Sequence, residues 1–137
     1  MTQYSFSGTP PTDLGVSNGR LKSCPSTPNC VCSYTPDDDK EHAIAPFAYT
    51  GSAKEAIDKL KQIIEGMERS KINSVSDDYL YAEFSSKLMG FVDDVEFYAP
   101  PGERVIHTRT AARLGKSDLG VNRKRTENIR QQFQAMS

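Results

Sequence analysis

A chain of 137 residues is the length of one domain, which excludes two full ones. Its apolar share of 36% and mean hydropathy of −0.58 are low for a domain packed throughout and predict that part of the chain is uncovered coil. Basic and acidic side chains number 17 and 18, a net charge of −1, which excludes a generic polyanion binder such as a nucleic-acid coat. No stretch approaches the roughly 18 consecutive apolar residues of a membrane span. The start, Met1 to Phe6, lacks a charged segment leading into an apolar core, so no secretory leader is read there.

Charge and proline are unevenly placed. Residues 1–99 carry 9 basic and 15 acidic side chains and residues 100–137 carry 8 and 3, so nets of −6 and +5 should attract one another in the fold. Six of the eight prolines fall in the first 46 residues, where no apolar periodicity lasts a full element. Residues 1–41 read as an extended, loop-rich arm and residues 42–137 as the packed domain. Within the latter, His42 to Tyr49 reads as an edge strand, where Pro46 is tolerable. Ser52 with Glu55 forms a capping box, and Ala53, Ala56, Ile57, Leu60, Ile63, Ile64 and Met67 recur at helical spacing, predicting a helix over 53–67. Ile72 and Val75 mark a short strand. Tyr79–Ser85, Phe91–Tyr98 and Arg104–Ala112 read as three more, the last two joined by Pro100-Pro101-Gly102. Val121, Ile129, Phe133 and Met136 share one face of a helix over 121–135. The class is therefore α+β: an antiparallel sheet of about five strands in the order β-α-β-β-β-β-α, with both helices on one face. By analogy, that order is the one of the TATA-binding-protein-like topology; it carries no function.

Strand alternation sorts the side chains. Leu80, Ala82, Phe84, Phe91, Val95, Phe97, Ile106, Thr108 and Thr110 fall under the helices, and Asp93 shares their parity. The opposite face, predicted to be open, collects Tyr79, Tyr81, Glu83, Asp94, Glu96, Tyr98, Val105, His107 and Arg109. This mosaic of acid, base and aromatic rings suits a recognition surface, although cross-strand ion pairs of a solvated face have the same pattern. Arg125 lies inside the apolar stripe of the last helix. An unpaired buried guanidinium is costly, so it needs a carboxylate, Asp93 first and Asp94 second.

Gly15-Val16-Ser17-Asn18-Gly19 matches a nucleophile elbow, but without a strand before it and a helix after it the string is a turn. Gly115-Lys116-Ser117 lacks the first glycine of a nucleotide loop. It leaves a simpler anion site from Lys116, amides near Gly120 and the start of the last helix with Arg123. Cys24, Cys30 and Cys32 admit a disulfide between the first two, a zinc site with His42 as fourth ligand, or free thiols. Asp93, Asp94, Glu96 and His107 do not make a metal site, because parity splits Asp93 from the others. No cofactor or metal is implied.

Four strings in order carry a resemblance over nearly the whole chain: Pro11-Thr12-Asp13-Leu14-Gly15-Val16, Cys24-Pro25-Ser26-Thr27-Pro28-Asn29-Cys30-Val31, Gly90-Phe91-Val92-Asp93-Asp94-Val95-Glu96-Phe97, and Arg113-Leu114-Gly115 through Arg125. They resemble the domain-of-unknown-function family numbered 1499, found in bacteria and plastid-bearing organisms, whose members often carry export or lipoprotein leaders. The resemblance implies no activity. Cys32 stands where relatives commonly have serine, which makes it the odd thiol and favours a Cys24 to Cys30 pairing. Ala112 stands where relatives commonly have the second serine of their R-S-A-S-R string, which argues against a serine nucleophile.

The reading of the residues is a binding or assembly module. Its open face and an Arg-rich region, Arg109, Arg113, Lys116, Asn122 and Arg123, contact a protein partner or a small anionic ligand. The alternative is a small hydrolase or isomerase using Asp94, Glu96 and His107 as acid and base, with Arg109 steadying an anion. Neither uses nucleic acid or a membrane span.

Overall fold

The computed structural model describes residues 11–86, 91–114 and 120–136. In chain order the elements are β1 (Cys30–Cys32), β2 (Phe47–Ala48), α1 (Ala53–Glu65), β3 (Ser70–Val75), β4 (Tyr79–Ser85), β5 (Val92–Tyr98), β6 (Val105–Ala112) and α2 (Val121–Ala135). Six strands, not five, form one antiparallel sheet in the order β1-β6-β5-β4-β3, and β2 also pairs with β6. The outer edge of β6 is shared: Cys30 to Cys32 run against Ala111 to Arg109, while Phe47 and Ala48 run against Ile106 and Val105. The additional strand is Cys-Val-Cys, too short for alternation to reveal and set among prolines. The expected strand over 42–49 shrinks to two residues.

Helix α1 starts where its capping box sits. Ser52 is extended at φ −93°, its Oγ accepts the Glu55 N–H at 3.1 Å, and Glu55 Oε1 accepts the Ser52 N–H at 3.0 Å. It buries Ala56, Ile57, Leu60, Ile63 and Ile64 against the sheet. Helix α2 packs on the same face through Ile129 and Phe133, and Phe47 meets both Phe97 and Phe133 at ring separations of 5.6 and 5.8 Å. This single-sided core also takes in Leu80, Ala82, Phe84, Val95, Phe97 and Ile106. Three residues assigned to it are exposed instead: Phe91 lies one position before β5 begins, and Val121 and Met136 lie at the ends of α2, beyond the reach of the sheet. In their place α2 buries the polar Asn122 and Thr126.

The other sheet face is not open, which corrects the central expectation of the sequence. All seven residues of β5 are buried, so both faces of that strand are covered. The cover is the proline-containing segment before β2. After β1 adds to the sheet edge, Tyr34 stacks on His107 with ring centroids 3.8 Å apart, and the Gly15 N–H reaches Glu96. Arg20 in turn lies 4.6 Å over the Tyr34 ring. Asn18 at φ 55° and Gly19 at φ 74° turn the chain back on itself between Ser17 and Arg20. That places the elbow-like string in a two-residue hairpin turn.

Candidate functional site

A disulfide joins Cys24 to Cys30 and ties the covering segment to β1, while Cys32 is buried with its thiol toward the Lys22 carbonyl. Burial pushes the Cys32 thiol up, which disfavours the thiolate. His42 is buried and bridges the segment internally: Nδ1 lies 2.8 Å from Asp39 Oδ2 and Nε2 lies 2.9 Å from the Thr27 carbonyl. Two acceptors favour the doubly protonated ring, and the Thr27 carbonyl, then the Asp39 carboxylate, raise its pKa. The four residues of the zinc alternative are thus engaged elsewhere. Among the described residues no group of His, Cys, Asp and Glu is arranged to hold a metal ion.

The strand register sets out the covered face. Glu83 opposes Asp94, Tyr81 and Arg109 flank Glu96 on either side, and His107 opposes Tyr98. Asp94 is held by Arg113, whose Nε and Nη2 donate to its two oxygens at 2.9 Å, and by the Tyr81 hydroxyl at 2.6 Å. Arg113 also reaches Glu83 at 2.8 Å. The acidic surroundings hold the guanidinium firmly charged, and burial, followed by the hydrogen bond to Asp94, pushes Tyr81 up to about 12.

Glu96 is fully buried. Its Oε2 accepts from the Tyr79 hydroxyl and from the Gly15 N–H, each at 2.6 Å, while Oε1 has no hydrogen-bond partner among the described residues. Burial pushes this carboxyl above the ordinary range. His107 Nδ1 shares a hydrogen with Ser33 Oγ at 2.8 Å, and burial lowers its pKa. Asp94, Glu96 and His107 therefore share a sheet face, but each is engaged by a different set of neighbours.

Arg109 stands apart. It is 5% exposed, and among the described residues its Nε–H has no acceptor and it makes no ion pair. It lines a cavity of about 350 Å³ between residues 11–29 and the sheet, together with Asp13, Lys22, Asn29, Asp94 and Arg113. Lys22 is paired with Asp13 at its rim. Each of the four strings quoted above contributes a lining residue, such as Asp13, Asn29, Asp94 and Arg113. A wider depression of about 600 Å³ between the start of α1 and Ser76 to Asp78 contains no buried polar side chain.

The sheet divides the Arg-rich set expected from the sequence. Arg109 and Arg113 face the cavity. Asn122 lies on the helical face, where it accepts the Thr110 hydroxyl and the Arg125 Nη1–H. Arg123 donates to the carbonyls of Lys40, Glu41 and Ala43, and Lys116 lies outside the described residues. Arg125 pairs with Asp93 at 2.8 Å and covers the Phe84 ring at 4.6 Å. Of the charged and amide side chains in the cavity lining, Asp13, Lys22 and Asn29 are not among the site residues expected from the sequence. None belongs to a periodic element, and the only signal is their position within the first string, for Asp13, and beside or within the cysteine string, for Lys22 and Asn29.

Fold and site together define a single-sheet α+β domain whose polar sheet face is covered by a disulfide-tied segment over a cationic cavity. Residues 20–133 match the family model described as a protein of unknown function, DUF1499, and the chain belongs to that family. No curated protein matches it. No helix among the described residues is long and apolar enough to cross a membrane.

Proposed function

We propose that the chain is a binding module that takes a small anion into the cavity between residues 11–29 and the sheet. Arg109 is the receiving cation, with Arg113 and Lys22 on either side. The observation that carries this reading is the Arg109 guanidinium, buried with an N–H unmatched beside an empty volume of ligand size. A protein keeps a desolvated, unpaired cation at a cost to stability, and an incoming anion supplies the missing counter-charge. A small ligand fits better than a protein partner, because the covering segment lies between Arg109 and any approaching surface. Binding is favoured over acid and base chemistry because Asp94 is tied to Arg113, Glu96 to Tyr79 and Gly15, and His107 to Ser33.

The test is thermal denaturation of the wild type and of Arg109→Met across a panel of small anions at fixed ionic strength. At about 100 times its Kd, a bound anion raises the stability of the wild type by about 2.7 kcal/mol. Arg109→Met should be at least as stable without ligand and should not respond to any anion. A wild type that responds to no anion beyond ionic strength, or a variant that responds equally, refutes the reading.

A further inference from the structure

Glu96 and Arg109 stand directly opposite one another on β5 and β6, and both are buried on the covered face. Side chains so placed are near enough for their charges to interact strongly, yet no hydrogen bond or ion pair joins these two. Both donors to Glu96, the Tyr79 hydroxyl and the Gly15 N–H, converge on Oε2, and no described donor reaches Oε1. One oxygen accepting twice and the other accepting nothing is the pattern of a neutral carboxyl, with its carbonyl at Oε2 and its hydroxyl at Oε1. An ionised carboxylate in the same place would keep a charged oxygen dry. Burial pushes the Glu96 carboxyl above the ordinary range, in agreement with that pattern. Arg109 lines the cavity, so an anion entering there adds negative charge near Glu96. Like charge in a desolvated site disfavours the carboxylate, and the ion that binds draws a proton onto it. The coupling is reciprocal: a Glu96 carboxylate neutralises Arg109 from across the ladder and weakens its hold on the ion.

Resting on the anion-binding reading above, we infer that the cavity takes up its anion together with a proton, which Glu96 holds opposite Arg109. Affinity is highest in acid, where Glu96 is already protonated. It falls as pH rises through the folded value of that carboxyl, by at most about tenfold per pH unit. The other groups around Glu96 are Tyr79 and Tyr81 from β4, Asp94 on its own strand, Arg109 and His107 from β6 and Cys32 from β1, with Asp13, Arg20 and Lys22 on the covering segment. Burial pushes Tyr79, Tyr81 and Cys32 up, so they keep their protons through neutral pH. Asp94 and Asp13 are tied to Arg113 and Lys22. The rival proton acceptors are the histidines: burial lowers His107, whereas the carbonyl of the lining residue Thr27 raises His42.

The experiment is calorimetric titration of the oxidised full chain with sodium nitrate and with sodium sulfate, whose charges stay constant, from about pH 5 to about pH 8 at fixed ionic strength. Each point is taken in two buffers of different ionisation enthalpy, and the difference in heat counts the protons taken up per anion bound. Wild-type affinity should fall with pH while uptake rises toward about one proton per anion. Glu96→Gln, which is always neutral, should bind without uptake and with an affinity that stays flat across the range. If that variant does not fold, His42→Gln and His107→Gln decide, and both must keep the uptake. Anion binding without uptake at any pH would overturn the proton inference and leave the anion-binding module standing. Uptake that persists in Glu96→Gln, or that vanishes in either histidine variant, would overturn it as well. No binding of either anion at any pH would remove both.

Discussion

Asp93→Asn tests the electrostatic joint between α2 and the sheet. Asp93 points from β5 into the helical face, and Arg125 meets it at 2.8 Å with side-chain exposures of 11% and 15%. Asparagine keeps the shape and one acceptor but removes the charge, which leaves a guanidinium in a setting it entered as half of a pair. Breaking a buried pair costs about 3–5 kcal/mol. Here the residual exposure, the Asn122 Oδ1 acceptor at 3.0 Å and the Phe84 ring under the guanidinium soften the loss, which places the expected cost near the low end, about 3 kcal/mol. For a chain of this length that corresponds to a fall in Tm of about 10 °C. The assay is urea and thermal denaturation of wild type, Asp93→Asn, Arg125→Met and the double variant, with Asp58→Asn as a control. Asp58 pairs with Lys54 at 3.0 Å on the exposed side of α1, so its loss should barely register. The double variant should recover much of the loss, because no charge is then left unmatched. An Asp93→Asn protein melting within about 2 °C of wild type, or additive single and double variants, would refute the reasoning.

Reducing the Cys24 to Cys30 disulfide opens a loop with a sequence separation of 6, worth about 2 kcal/mol in chain entropy. Urea midpoints with and without reductant should show that loss, and hydrogen exchange should show the Gly15 amide losing protection first. His42 has a raised pKa in the fold, so its contribution is fully present below about pH 6.5 and is lost as pH rises through the folded value. His42→Gln should flatten that fall in denaturation midpoints, and a wild type whose midpoint does not fall there would contradict the assignment. Glu96 is likewise raised, by burial. Its contribution is present below about pH 4.3 and is lost as pH rises through the folded pKa, so Glu96→Gln should match or exceed wild-type stability at neutral pH. A large loss at neutral pH in that variant would mean that the carboxylate is a needed partner of Arg109.

The helical face was legible because its physics is local and periodic. The capping box at Ser52 and Glu55, the 3.6-residue recurrence of Ile57, Leu60 and Ile64, and the alternation of Leu80, Ala82 and Phe84 are each written in neighbouring residues. Arg125 was conspicuous for the same reason, as a charge inside an apolar stripe. The covered face was not legible. Alternation assigned Asp94, Glu96 and Arg109 to one side of the sheet but did not show what lay above them. The segment that buries them has no period, and its three-residue strand is set by pairing with Thr110 and its neighbours rather than by its own propensity.

The sequence by itself therefore determined both helices, the strands β3 to β6 and the facing of the residues in β4, β5 and β6, because side-chain periodicity needs only a few adjacent positions. Only the tertiary structure decided which of those polar residues are buried, that Arg113 is matched and Arg109 is not, and that Asn122 and Arg123 lie away from both. Burial of these groups depends on contacts between segments far apart in the chain, such as the Gly15 N–H on Glu96 at a separation of 81 positions, and no local pattern encodes them.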